Sequence, residues 1–289
     1  TNEFSGITTG DDNGSNGSME AAITSSYSTI YYNIDGFVKL VQLNLNSAYD
    51  ITGGFTTAVT QSVYDLSGVT INEVGGIWFN SAQATVSSTL FDIGKLLFIV
   101  YKQTSVESAV VSYELTTAFD LSTINTRNFV EKFQTDSGTN TIGWKGVSWS
   151  DDGTKLFIQD SFIDPPAVSG SIPKFYQYVA STAFSLTGLT LEYIYSAKQI
   201  ADNTFDVHTS GIRFYNSGNK LFVIRQYDSG GSTSLENSYF LCYNLGSVFD
   251  ISTINDNPRL DDSIPPFISD SNGNVSTDFS SSYVTLTFY

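Results

Sequence analysis

The chain has 289 residues, of which 40% are hydrophobic and only 15% are charged, with 29 acidic against 13 basic side chains. The resulting formal charge of −16 repels phosphate backbones and anionic lipid surfaces, so the composition disfavours nucleic acid as a partner. The longest strongly apolar run, 96–100, is far too short to cross a bilayer, and we therefore expect no membrane insertion.

An eleven-residue pattern occurs four times along the chain. Its copies are 41–51, 111–121, 176–186 and 241–251, and their aromatic anchors are Tyr49, Phe119, Phe184 and Phe249. The anchors are separated by 70, 65 and 65 residues. Alternating apolar and polar residues predict a strand, which ends in a turn of the Phe-Asp-Leu-Ser-Thr type. The Asp of that turn is expected to accept hydrogen bonds from backbone N–H groups two residues further on.

A second element precedes each copy of this pattern. In the clearest copy, a short strand ending at Trp149 leads through a turn at 151–153 into a returning strand at 155–158, with Gly153 at positive φ. Residues 211–223 match it closely, and residues 75–99 match it with a longer inserted loop. Degenerate copies lie at 22–32 and 275–288. A fourth strand is expected after each pattern, for instance at 128–133 and 191–195.

Four antiparallel strands per repeat predict an all-β fold built from the blades of a β-propeller. No blade can bury both of its faces alone, so the repeats must stack. We place repeat units at about 20–75, 76–145, 146–210 and 211–274 within a single domain that spans 1–289. Residues 2–7 and 275–288 are predicted to pair and complete a fifth, slimmer blade, which removes an exposed edge. An open array that continues into further sequence is the alternative.

The motif Asp-Asp-Gly-Thr-Lys-Leu-Phe-Ile at 151–158, alternating with Tyr-x-Leu-Ser/Thr-Thr-Ala-Phe-Asp-Leu-Ser-Thr, resembles a propeller repeat found in many marine phage proteins and bacterial surface or secreted proteins. The resemblance covers residues 20–289 and is clearest in the middle two units. It implies the propeller fold and a virion or cell-surface setting. It implies no particular ligand, because a fold does not specify a function.

Catalytic residues of a propeller hydrolase would converge at one mouth of its central channel. The loops that enter the first strands contain Glu73, Lys145, Asp206 and His208, of which Glu73, Asp206 and His208 are the candidates for acid, base or nucleophile-activating roles. Solvated loop residues are the alternative reading of all of them. His208 is the only histidine, which excludes multi-histidine zinc sites, and neither G-x-S-x-G nor G-x-G-x-x-G occurs. We therefore predict no catalytic site and no bound cofactor.

Calcium is the one cation that the sequence leaves open. Residues 9–17 and 269–274 are rich in Asp, Asn and Ser, but neither segment has the spaced ligands of a calcium loop, and ordinary Asx turns explain both. Trp78, Trp149 and Phe214 are predicted to occupy equivalent places in three first strands, which favours core packing over an aromatic carbohydrate platform. Cys242, the single cysteine, lies in an apolar strand and is predicted to be a buried structural thiol.

These features favour a non-enzymatic structural or adhesive module of a virion or extracellular surface assembly. Such a module would bind protein neighbours or surface glycans through its blade loops. The alternative is a secreted propeller hydrolase that acts on polysaccharide or small esters. An intracellular scaffold is disfavoured by the Lys-poor, hydroxyl-rich composition.

Overall fold

The computed structural model describes residues 18–19, 29–34, 39–45, 55–62, 73–102, 107–136, 142–162, 174–196, 205–215, 217–228, 237–255 and 283–284. Among these residues all regular structure is β, apart from short 3-10 turns at Leu121–Thr123 and Ile251–Thr253. The chain is thus all-β, as the sequence predicts.

Eighteen strands follow one another along the described chain. They are β1 (Ser18–Met19), β2 (Thr29–Ile34), β3 (Lys39–Leu45), β4 (Phe55–Ser62), β5 (Glu73–Phe79), β6 (Ala84–Val86), β7 (Thr89–Phe91), β8 (Leu96–Lys102), β9 (Glu107–Leu115), β10 (Ile124–Asp136), β11 (Ile142–Trp149), β12 (Lys155–Phe162), β13 (Lys174–Ala180), β14 (Leu189–Ser196), β15 (Phe205–Tyr215), β16 (Lys220–Asp228), β17 (Asn237–Asn244) and β18 (Tyr283–Val284). The fourth strands expected at 128–133 and 191–195 lie within β10 and β14.

The strands form four antiparallel sheets in sequence order. The first sheet is β2-β3-β4, the second is β5-β8-β9-β10, the third is β11-β12-β13-β14, and the fourth is β15-β16-β17. The hairpin β6-β7 is inserted between the first two strands of the second sheet. Neighbouring strands are thus joined as meanders, which is the connection that short turns between antiparallel strands allow.

The sheets stack face to face, and β8 shows this most clearly. Every residue from Leu96 to Tyr101 is fully buried, because its two faces contribute to different hydrophobic cores. Leu97, Ile99 and Tyr101 belong to the core on one face of the second sheet. Leu96, Phe98 and Val100 pack with the third sheet on the other. A strand buried on both faces has no polar alternation, which explains the continuous apolar run at 96–100.

The third sheet likewise has a hydrophobic core on each face. Trp149 and Phe184 pack against Phe98 of the second sheet. Phe157 and Phe175 pack with residues of the fourth sheet such as Tyr243. The inserted hairpin β6-β7 adds Ala84, Val86 and Phe91 to the core between the second and third sheets. Stacking of the repeats is therefore what buries the apolar side chains.

The strand register corrects one prediction from the sequence. Phe79, Trp149 and Phe214 pair with Leu97, Leu156 and Leu221, each of which lies three residues after an equivalent turn glycine. Phe79, not Trp78, is therefore the equivalent of Trp149, and Trp78 corresponds to Ser148 and Arg213. The inserted hairpin in the second sheet hides this register in the sequence. Core packing of the three predicted aromatic residues is confirmed, since Trp149 is buried and the partly buried Trp78 and Phe214 each pack against a hydrophobic core.

Two short strands bring distant parts of the chain together. β1 and β18 pair in parallel, with Ser18 opposite Tyr283 and Met19 opposite Val284. β1 also lies beside β2 and β5, while β18 lies beside β15 of the fourth sheet. The predicted closing strand 2–7 lies outside the described residues, as does most of 275–288.

Candidate functional site

The two ends of the sheets differ in construction. At one end, which we call the lock end, the first strand of a sheet turns into the second and the third strand leaves for the fourth. At the opposite end, the loop end, the first strands begin and the second strands continue towards the third. The antiparallel order of the strands dictates this division.

A glycine and a phenylalanine form the lock end in three successive sheets. The pairs are Gly94 with Phe119, Gly153 with Phe184, and Gly218 with Phe249. In each pair the phenylalanine N–H donates to the glycine carbonyl oxygen, at 2.8–2.9 Å. All six residues have positive φ, between 50° and 85°, as predicted for Gly153. The aromatic anchor of the repeat is thus held in a backbone conformation that is unusual for a bulky residue.

The turn that follows each anchor is closed by its own side chain. Asp120 Oδ1 accepts from the Ser122 N–H at 2.9 Å, and Asp250 Oδ1 accepts from the Ser252 N–H at 3.0 Å. In the third sheet, Ser185 Oγ accepts from the Thr187 N–H at 3.1 Å. The predicted hydrogen bond between the turn side chain and the backbone N–H two residues later is therefore confirmed.

Side chains also join each sheet to the turn of the next. Gln42 Oε1 of the first sheet accepts from the Leu121 N–H at 2.8 Å, 79 residues away. Gln177 Oε1 of the third sheet accepts from the Ile251 N–H of the fourth, also at 2.8 Å. Gln42 and Gln177 occupy the second place of the eleven-residue pattern, so the contact recurs with the repeat. We call these contacts latches.

The second sheet builds the same latch from another strand. In this sheet the second residue of the eleven-residue pattern is Ser112, and the buried Glu131 lies directly opposite it on β10. The Glu131 carboxylate accepts from Ser185 Oγ at 2.9–3.0 Å and from the N–H groups of Leu186 and Thr187. A carboxylate on the neighbouring strand thus replaces the glutamine. The latches were not predicted from the sequence, although the recurrence of a polar residue within an apolar strand is a signal that could have indicated them.

Arg213 joins the first strands of three sheets. Its side chain is 3% exposed, and its two terminal nitrogens donate to the carbonyl oxygens of Val147 at 2.9 Å, Ile212 at 2.8 Å and Ile77 at 3.1 Å. These three acceptors are equivalent residues of β5, β11 and β15. The guanidinium carbon also lies 4.8 Å from the centre of the Trp78 ring. No repeated pattern marks this position, so the role of Arg213 could not be predicted from the sequence.

The candidate catalytic residues all lie near the loop end. Glu73 begins β5, whereas Asp206 and His208 lie in β15, so they belong to strands and not to the entering loops that the sequence predicted. The first strands β5 and β15 extend further towards the loop end than expected, and β-bulges interrupt their register between Val74 and Gly76 and between Asp206 and His208. Lys145 is likewise within β11, at a bulge.

Glu73 and His208 share one level of the repeat. Glu73 pairs with Lys102 and His208 with Gln226. Lys102 and Gln226 are equivalent positions of the second strands, because each lies eight residues after the turn glycine of its sheet. Asp206 pairs with Tyr227, one step further out. The backbone thus brings Glu73 and His208 to matching heights in the second and fourth sheets. Their catalytic roles stay predictions.

In the part of the chain that the structure describes, no three His, Cys, Asp or Glu side chains come together as a metal site. Nor does any helix in that part have the length and apolarity needed to cross a membrane. The oxygen-rich segments 9–17 and 269–274 lie outside the described residues. Cys242 is buried, as predicted.

Burial dominates the titration of four inner tyrosines. It raises the pKa of Tyr101 and Tyr178 to about 12. The pKa of Tyr113 is also raised, by burial and then by the nearby Tyr101. Burial and the Asp160 carboxylate raise the pKa of Tyr176, whose hydroxyl donates to Asp160 Oδ2 at 3.4 Å.

No family model matches the chain, and no curated protein matches it. Among solved structures, it is similar to the periplasmic gluconolactonase PpgL of Pseudomonas aeruginosa, with 11% identity over 78% of this chain and 52% of that one, and a TM-score of 0.41. It is also similar to a putative 6-phosphogluconolactonase of Bacteroides fragilis, with 12% identity over 88% and 74% of the two chains and a TM-score of 0.47. The third is the β-propeller domain of Cps50 (Swd1) from Myceliophteria thermophila, with 10% identity over 76% and 54% of the two chains and a TM-score of 0.31.

This chain therefore spans about half the length of the first and third of these structures. Identities of 10–12% assign neither a family nor an activity to it.

Proposed function

We propose that this chain is a non-enzymatic structural or adhesive module of a virion or extracellular surface assembly, which binds protein neighbours or surface glycans through its loop end. The unequal construction of the two ends carries this proposal. The lock end repeats the same glycine–phenylalanine pair in three sheets, with tight turns closed by their own hydrogen bonds. Because these turns make their hydrogen bonds within the fold, we assign recognition to the opposite end.

The connections at the loop end differ in length from sheet to sheet. Between the second and third strands, the second sheet has four residues (103–106), the third has eleven (163–173) and the fourth has eight (229–236). Loops of differing length on a rigid repeated frame are a common way of building a binding surface. The connections are rich in Ser, Thr, Gly and Pro, and hydroxyl groups suit hydrogen bonds to sugar hydroxyls or to a neighbouring backbone.

We further propose that the sheets close into a five-bladed propeller. The parallel pair β1-β18 supports closure, because it lies beside β15 of the last sheet and beside β2 and β5 of the first two. In a Cys242→Ala background, Met19→Cys with Val284→Cys is expected to form a disulfide on oxidation, detected as a mobility shift on a denaturing gel. An open array would give no such crosslink.

The binding proposal is tested by replacing residues 163–173 with a Gly-Ser linker of equal length. A glycan array and a cryo-EM reconstruction of the native particle supply the probes. We expect the replacement to abolish glycan binding or particle decoration while the melting temperature stays within about 2 °C. Val248→Ser, an exposed change at the lock end, is the matched control and should leave binding intact. Loss of binding in the control alone would overturn the assignment of the loop end.

The second candidate is a secreted hydrolase of polysaccharide or small esters. The matching heights of Glu73 and His208 at the loop end favour it. It predicts turnover by the purified chain, with loss on Glu73→Gln, Asp206→Asn or His208→Asn. Turnover that these variants abolish would replace the binding proposal with this one, whereas the absence of turnover on both substrate classes would eliminate the hydrolase.

A further inference from the structure

The third sheet is polar at two inner positions where its neighbours are not. Ser148 stands where the second and fourth sheets have Trp78 and Arg213. Gln159 pairs with Gly146 on β11 and stands where those sheets have Val100 and Ile224. Both polar side chains are fully buried. An amide at an otherwise aliphatic position of a repeat indicates a local requirement that packing alone does not explain.

These polar atoms find no partner among the described protein groups. Ser148 Oγ, Gln159 Oε1 and Gln159 Nε2 are all inaccessible and accept or donate no hydrogen bond there. Buried side-chain polar atoms in folded proteins nearly always have a partner, from the protein or from an ordered water molecule. A glutamine with both amide atoms unpaired is especially unfavourable, since each atom loses its hydration without compensation.

The register places the two side chains on one face of the third sheet. Gly146 is two residues before Ser148 on β11 and pairs with Gln159, so Ser148 and Gln159 are diagonal neighbours. Diagonal positions in an antiparallel pair are near enough for a long side chain to approach its neighbour. The face is the one that packs on the fourth sheet, because a Cβ on Gly146 would stand 3.1 Å from Gln159 Oε1 and 3.0 Å from Ile212 Cγ2.

We propose that an ordered water molecule lies at this seam between the third and fourth sheets and bridges Ser148 Oγ to the Gln159 amide. Water both donates and accepts, which matches a hydroxyl beside an amide. A cation fits poorly, because the Arg213 guanidinium is bonded to the carbonyl oxygen of the adjacent Val147. Asp160, the next residue after Gln159, points to the opposite face, where it accepts from the Tyr176 hydroxyl.

A high-resolution crystal structure of the intact chain tests the site directly. We expect a water peak within hydrogen-bond distance of Ser148 Oγ and of one Gln159 amide atom. A seam closed by a direct protein partner for Gln159, or one that holds an ion with anomalous signal, would overturn the proposal.

A mutant cycle tests the bridge in solution. Gln159→Leu and Ser148→Ala should each lower the melting temperature by about 2–4 °C. The double variant should lose little more than the worse single variant, because either change already releases the shared water. A rise in melting temperature for Gln159→Leu, or strict additivity, would contradict the bridge. If Gln159→Leu fails to fold, the crystal structure still decides.

Gln177→Leu provides the matched control. Gln177 is a fully buried glutamine of the same sheet, but its Oε1 has a known partner in the Ile251 N–H. Its effect should add to that of Ser148→Ala. Coupling between these two residues as strong as that between Ser148 and Gln159 would show that the cycle reports general sheet packing, and the bridge would be rejected.

Discussion

The ring of Phe184 lies where a Cβ on Gly153 would be, with its nearest carbon 2.3 Å from that position. The Phe184 N–H also donates to the Gly153 carbonyl oxygen at 2.8 Å. Phe184 has φ of 57°, which a bulky residue adopts only when its surroundings enforce it. Contacts of its ring with Phe98 and Trp149 supply that enforcement. The recurring glycine and aromatic anchor of the sequence are thus one structural unit.

Gly153→Ala should destabilise the protein by about 2–4 kcal/mol, because the new methyl group combines a positive φ with overlap of the Phe184 ring. Urea unfolding measures the change in the free energy of unfolding. Gly188→Ala is the matched control: Gly188 also has positive φ, 75°, but its Cβ would meet only the side chain of Ser181, which can rotate. Its cost should be about 1–2 kcal/mol. Equal losses for the two variants would show that the Phe184 contact contributes nothing.

Glu131→Ala should reduce the free energy of unfolding by about 2–4 kcal/mol, since the Leu186 N–H loses its acceptor and Ser185 Oγ loses the carboxylate to which it donates. Glu131→Gln should recover most of that loss. The amides of Gln42 and Gln177 already perform the same task in the equivalent latches. Chemical denaturation of the two variants side by side checks this, and a Gln variant as unstable as the Ala variant would refute the equivalence of the latches.

Arg213→Lys should fail to preserve stability, with a loss of about 2–4 kcal/mol close to that of Arg213→Met. A single ammonium lacks the fork that reaches the Val147 and Ile77 carbonyl oxygens together. Thermal unfolding followed by near-ultraviolet circular dichroism, which also senses the neighbouring Trp78, provides the measurement. Lys174→Met, at an exposed residue, controls for the loss of one positive charge. If Arg213→Lys were as stable as the wild type, a positive charge over the Trp78 ring would be enough to maintain stability.

Stability should fall as the pH rises from about 10 to about 12. The pKa of Tyr101 and Tyr178 is raised to about 12 by burial, from an ordinary value of 10.0. Below pH 10 these phenols are protonated in both the folded and the unfolded chain, so their contribution to the free energy of unfolding is fully present. Above it the unfolded chain binds fewer protons and is favoured.

Unfolding midpoints measured across this pH range check the effect, and Tyr101→Phe should flatten the decline. Tyr193→Phe, at an exposed residue, is the control and should leave the slope unchanged. A decline that is the same in wild type and Tyr101→Phe would show that other groups cause it.

The sequence by itself determined the local elements of this protein. Strand alternation, the positive φ of Gly153 and the self-closing turn at Asp120 depend on residues close together in the chain, whose propensities act wherever the segment is placed. The period of the pattern also implied that the repeats stack, because no single sheet could bury an apolar run such as 96–100. The roles of Glu73, Asp206 and His208 stay predictions, although the fold does bring their backbones to the same end.

Only the tertiary structure decided which residues meet across the sheets. Gln42 reaches Leu121, and Arg213 reaches Ile77, across 79 and 136 residues. Such contacts depend on the offset between stacked sheets, which strand periodicity does not encode. The sequence likewise aligned Trp78 with Trp149 as equivalent positions of the repeat. The strand register shows that Phe79 is the equivalent residue, and the inserted hairpin conceals this difference of one residue in the sequence. A shift of one residue moves a side chain to the opposite face of the sheet, and with it to a different core.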